Sequence, residues 1–164
     1  MSGTGSTRPG DHVITVPTIH VNLTPLAFHR FATQYRDVAR TARVPSGFSP
    51  VPCYLYCRAL ELSFKAYLLV NGVTKKEIEG KALGHDLVRN LDRAEGLGLS
   101  GIVKVSAQER QEVVKANSYY VNKDFEYANI MRAVRGYRDL PDLAVLDVLV
   151  GNLLPALEPL CLAA

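Results

Sequence analysis

Pro52 to Gly72 reads PCYLYCRALELSFKAYLLVNG, and between Cys53 and Val70 only Arg58, Glu61, Ser63 and Lys65 are polar. A helix that is apolar on nearly every side is one surrounded by other helices. The competing reading, a membrane span, needs about 20 predominantly apolar residues with few or no charges. This run carries three charges at its centre, so it reads as the core helix of a soluble bundle with no membrane contact. At 100° per residue, Arg58, Glu61 and Lys65 fall in a stripe about 40° wide. Glu61 lies three residues after Arg58 and four before Lys65, the spacings at which helix side chains meet and opposite charges attract. Two readings of the stripe follow: a solvated seam between neighbouring helices, or a charged cleft wall that binds something anionic.

The rest of the chain reads as material packed against that helix. Thr24-Pro25 is a helix start, the Thr hydroxyl capping free amides and Pro sitting at the first helical position. Phe28, Phe31, Tyr35, Val38, Ala39 and Ala42 then recur at three and four, predicting a helix from about Pro25 to Arg43 with that set inward. Pro45 ends it, and the loop Pro45 to Pro50 leads into the central helix. Asn71-Gly72 closes the central helix. Thr74 to Gly80 reads as one capped helical turn, and a further helix starts at Gly84-His85-Asp86, with Leu87, Val88, Leu91 and Ala94 as its apolar stripe and Gly96 and Gly98 as its stop.

Ser106 and Glu109 form a capping box that opens a helix over Ala107 to Val121, with Val113, Val114, Ala116 and Tyr120 facing inward. Residues 122–139 carry mixed signals and are expected to be mostly irregular. Asp139 and Pro141 open the last helix, whose leucines recur at three or four and which Pro155 is expected to kink near Gly151. The sum is an all-α helical bundle of about five helices.

A chain of 164 residues makes one domain, expected over 24–164. Ahead of it, Met1 to Asp11 reads as a flexible leader without the apolar core of a signal peptide. His12 to Leu23 alternates weakly around Pro17 and reads as an extended arm. The net charge of +3 is too mild to argue for nucleic acid by itself. Three cysteines, an odd number, point to free thiols in a reducing compartment, hence the cytoplasm.

Candidate chemistry is sparse. No Gly-rich phosphate loop, nucleophile elbow or HExxH motif occurs, so no cofactor is indicated. Cys53 and Cys57 share a helix face, but a zinc site needs four ligands and none is visible nearby, so they read as core thiols and no metal is expected. His85 and Asp86 at a helix start offer an acid/base pair or a phosphate seat; the plainer reading has Asp86 capping the helix and His85 packing on a polar neighbour. Between Tyr119 and Arg138, Lys123, Arg132, Arg135 and Arg138 interleave with Tyr119, Tyr120, Phe125, Tyr127 and Tyr137. That is the chemistry of phosphate contacts beside stacking surfaces, or else a solvated loop whose aromatics lock it onto the bundle.

RALELSFKAYLLVNG, Arg58 to Gly72, followed by GHDL, Gly84 to Leu87, resembles the HEPN superfamily of small helical domains, in which a helix with a "LELxxKA" core precedes a "GHDL" helix start. The match covers about 30 residues, and the helix order would extend it over roughly Thr24 to Leu162. The resemblance implies a homodimer that acts on or near RNA, in defence or toxin and antitoxin settings, with a nucleotidyltransferase or an antitoxin as protein partner. Many such domains are metal-independent ribonucleases whose Arg and His are separated by four to six intervening residues. Here Arg8 and His12 have three residues between them, His20 and His29 have no upstream Arg within reach, and the nearest Arg before His85 is Arg58. The expectation is therefore a non-catalytic binding module recognising RNA, a nucleotide or a protein. Its candidate contacts are Arg58, Glu61, Lys65, His85, Asp86, Lys123, Arg132 and Arg135. The alternative is a divergent ribonuclease pairing His85 with an Arg such as Arg58, and a third reading is a purely structural partner.

Overall fold

A computed structural model describes residues 23–42, 48–127 and 136–164. The described residues are all-helical, with six α-helices and no strand. The arm expected for residues 12–23, Leu23 apart, and Arg132 and Arg135 lie outside the described residues.

Helix α1 (Pro25–Thr41) starts as its sequence predicts, the Thr24 hydroxyl accepting from the Ala27 amide. Its inward face is turned from the expected one: Phe28, His29, Ala32 and Ala39 are buried, whereas Phe31 and Val38 are exposed. A buried His29 accounts for part of the turn, because its Nε2 donates to the Leu154 carbonyl at 2.8 Å and a polar ring can be held inside once bonded.

Helix α2 (Pro50–Val70) is the centre of the bundle. Ser49 caps it, and Pro50 takes the first helical position, so it begins a little before the apolar run. Every residue from Ala59 to Leu68 is buried; ten in a row cover nearly three turns, so no face is left to solvent there. It packs against α1, α3 (Lys75–Glu79), α4 (Leu87–Gly96), α5 (Ala107–Tyr120) and α6 (Leu143–Ala163), which is the wrapped rod that its composition demands.

The shorter elements follow their caps. Thr74 with Glu77 and Ser106 with Glu109 form complete capping boxes at α3 and α5. Between α4 and α5 a single 3₁₀ turn, Leu99–Gly101, follows Gly98, whose φ of +95° suits a residue without Cβ. On α5, Val113, Ala116 and Tyr120 are buried as expected, but Val114 is exposed and buried Glu112 takes a place on the inner face. Glu112 accepts from Lys115 at 2.9 Å and from the Asp142 amide at 2.8 Å, tying α5 to the start of α6.

Asp142, not Asp139, caps α6, its carboxylate accepting from the Ala144 amide. The helix runs unbroken through Pro155 and Pro159. It alone among the described helices has the length and apolarity to cross a membrane; its Leu146, Leu149, Val150, Leu153, Leu154 and Leu157 are buried in the bundle. Gly151 faces α1: a Cβ there would stand 2.5 Å from Nη2 of Arg36, which pairs with Asp147 at 2.8 Å.

Candidate functional site

The charged stripe of α2 is not a solvated seam. Glu61 is 1% exposed and Lys65 6%, while the Arg58 side chain keeps 21%. A buried carboxylate persists only if its oxygens are satisfied, and Glu61 is. Oε1 accepts from Lys65 Nζ at 2.7 Å. Oε2 accepts from Arg58 Nη1 at 3.1 Å, from the Tyr120 hydroxyl at 2.5 Å and from His85 Nδ1 at 3.1 Å. Three elements thus meet at one side chain: α2 itself, the turn before α4 and the end of α5.

Electrostatics fixes the protonation of this cluster. Burial pushes the Glu61 carboxyl up, but Lys65 and Arg58 beside it outweigh that effect and hold it below the usual carboxylate range. Glu61 is therefore ionised at neutral pH. Burial lowers the Arg58 guanidinium, and Glu61 and Tyr120 more than reverse that, so it stays charged. Burial and the neighbouring Glu61 together push the Tyr120 phenol well above its ordinary value, which keeps the proton on it as a donor.

Because an ionised carboxylate only accepts, the Nδ1 of His85 carries a hydrogen in this arrangement, so any lone pair on the ring is at Nε2. The His85 side chain is 57% exposed and stands edge-on to the Tyr120 ring, centroids 6.1 Å apart. Two fixed cations, Arg58 and Lys65, thus face one carboxylate.

His85 and Asp86 do not act as a pair. Asp86 caps α4 by accepting from the Arg89 amide at 3.0 Å and also accepts from Asn117 Nδ2 at 3.1 Å. In return Asn117 Oδ1 accepts from the Leu87 amide at 2.8 Å, so α5 clamps the first turn of α4. The purpose of Asp86 is thereby structural, and the clamp holds the turn that carries His85. Buried Asn90 belongs to the same joint, donating to the Leu83 and Asp86 carbonyls.

The aromatic and basic segment after α5 divides in two. Tyr119, Phe125 and Tyr137 pack on one another, with Phe48 4.3 Å from the Tyr137 ring. The Tyr119 hydroxyl bridges to the backbone of Arg138, and the Tyr137 hydroxyl donates to the Asp124 carbonyl at 2.9 Å. These rings fasten residues 136–138 to the bundle and leave their faces covered. Tyr127 is the exception, 63% exposed with Lys123 Nζ 5.9 Å from its centroid.

Of the expected contact residues, Arg58, Glu61, Lys65 and His85 come together; Asp86 serves the helix start, Lys123 lies with Tyr127, and Arg132 and Arg135 fall outside the described residues. Sequence reasoning missed Tyr120 and Asn117 as partners of this region. The signal for Tyr120 was its apolar inward position, which said nothing of its hydroxyl; Asn117 gave none. Cys53, Cys57 and Cys161 are buried free thiols, and no three metal-ligating side chains gather among the described residues.

No protein-family model matches the chain, and neither a curated protein nor a solved structure does.

Proposed function

We propose that this chain is a HEPN-like, non-catalytic binding module of the cytoplasm that works as a homodimer and recognises a phosphate-bearing partner, RNA or a nucleotide, at the Arg58 and His85 face. The observation that carries this reading is the charge imbalance at Glu61: Arg58 and Lys65 set two cations against one carboxylate, and the exposed His85 ring sits at its edge. An anion at that face offsets the surplus in a partly desolvated place, where such contacts are stronger than in water. Glu61 is fully engaged and ionised, which suits a scaffold that holds cations in place rather than a base that takes a proton. A nucleotidyltransferase or an antitoxin is the protein partner that the sequence resemblance suggests for such a module.

The test is anisotropy of a labelled single-stranded RNA at two salt concentrations, beside the molar mass in solution. Binding that weakens as salt rises, and that His85→Ala weakens further, is expected, with a mass of two chains. Salt-insensitive or absent binding overturns it.

One contact favours a second reading, a metal-independent ribonuclease. The hydrogen bond from His85 Nδ1 to Glu61 leaves Nε2 open to accept a proton, with Arg58 on the same carboxylate oxygen to steady developing phosphate charge. RNA cleavage that survives chelator and disappears in His85→Ala would put this reading first.

A further inference from the structure

Beside the Glu61 cluster a cleft of about 280 Å³ opens between α1 and α2, lined by Leu23, Phe28, Phe31, Tyr35, Arg58 and Leu62. Five of its six walls are apolar or aromatic and the sixth is a guanidinium. Ligand pockets have this composition, a mostly apolar lining with few polar groups that fix orientation, and this one lies just below the usual size range, which suits a small ligand. Arg58 is not used up by Glu61. Its Nη1 serves Glu61 and the Tyr120 hydroxyl, while its Nε is buried without an acceptor. A guanidinium has five donors, and the Arg58 side chain keeps 21% of its surface exposed, which leaves donors for a ligand acceptor. The Tyr35 ring centroid lies 5.6 Å from the guanidinium carbon, within cation–π range.

We infer that this cleft binds a small arene carboxylate, its ring among Phe28, Phe31 and Leu62 and its carboxylate on the guanidinium of Arg58. Charge complementarity selects the acid: Arg58 and Lys65 together set two cations against the single carboxylate of Glu61. A planar carboxylate matches the planar fork of guanidinium donors, and its hydrogen bonds to that group are charge-assisted. A neutral ring of the same size would fill the apolar walls and forgo those charge-assisted bonds. The inference shares Arg58 with the reading above but not its ligand, so the two fail separately.

The experiment is calorimetric titration of the full chain with 2-naphthoate and with its neutral isostere 2-naphthylmethanol. Saturable naphthoate binding is expected, with the alcohol at least about tenfold weaker because a charge-assisted bond is lost. Phe31→Ala, at an exposed position that leaves the core intact, weakens naphthoate, and Arg58→Met brings naphthoate down to the level of the alcohol. If Arg58→Met fails to fold, the comparison of acid with alcohol on Phe31→Ala and on the unaltered chain still decides. No saturable binding at millimolar naphthoate, equal binding of acid and alcohol, or indifference to Phe31→Ala overturns the inference. Naphthoate binding without RNA binding retires the function proposed above and keeps the cleft; RNA binding without naphthoate binding does the reverse.

Discussion

The Tyr120 hydroxyl donates to Oε2 of Glu61, a carboxylate 59 positions earlier in the chain, and both side chains are almost wholly buried. This contact closes α5 over the charged stripe of α2. A hydrogen bond to a charged group contributes about 1.5 to 3 kcal/mol, and removing the donor leaves the carboxylate short of one partner. Tyr120→Phe is therefore expected to lower unfolding stability by about that amount, read as a reduced urea midpoint with an unchanged slope. A midpoint equal to that of the unaltered chain would show that the bond does not hold in solution.

Glu61→Gln should be more damaging, because it strands two buried or half-buried cations instead of removing one neutral donor. Breaking a buried ion pair from one side costs about 3 to 5 kcal/mol. The pH dependence follows from the sign of the shift. The folded carboxyl is held below the ordinary 4.5, so between the folded and unfolded values the unfolded chain binds more protons. Glu61 then contributes stability that is fully present above pH 4.5 and is lost as pH falls through the folded value. Urea midpoints of the unaltered chain should fall on that acid limb, and the fall should be shallower in Glu61→Gln.

Gly151 sets two effects against each other. Alanine in a helix interior gains about 1 kcal/mol over glycine, but its Cβ would displace the Arg36 guanidinium from Asp147. That ion pair is partly exposed, so its loss costs up to about 1 kcal/mol. Gly151→Ala alone should change stability little; in an Arg36→Ala background it should stabilise by about 1 kcal/mol. Equal effects in both backgrounds would remove Arg36 from the account.

The three thiols should be inert in the folded protein. Burial pushes Cys53 and Cys161 up to about 11, and Cys57, enclosed beside Cys53 and Glu61, is raised as well. Since the thiolate is the reacting species, a thiol-specific disulfide reagent at neutral pH should label none of them quickly, and all three at once in denaturant. Fast labelling of one cysteine under native conditions would show that its helix opens locally.

Ser106 offers the simplest check on a cap visible in sequence. Its hydroxyl accepts from the Glu109 amide at 3.2 Å, and Glu109 returns a carboxylate oxygen to the Ser106 amide at 2.8 Å. Ser106→Ala is expected to cost about 1 kcal/mol in thermal or urea unfolding.

The helix starts at Thr24, Thr74, Asp86 and Ser106, the stop at Gly72 and the buried rod from Cys53 to Val70 were all legible in the amino-acid sequence. Each depends on residues within one or two turns, and local backbone chemistry decides such features. The sequence likewise determined that Arg58, Glu61 and Lys65 share one narrow line, because helical periodicity fixes relative angle.

What periodicity cannot supply is the neighbour that lies over that line. Whether the stripe meets water or a covering helix depends on where α5 and the turn before α4 dock. Only the tertiary structure set Tyr120 and His85 on Glu61 and turned an expected solvent seam into a buried, charge-unbalanced cluster. The same holds for α1, whose inner face shifted once His29 found the Leu154 carbonyl 125 residues away. Long-range partners of polar side chains are chosen by packing, which no local pattern encodes.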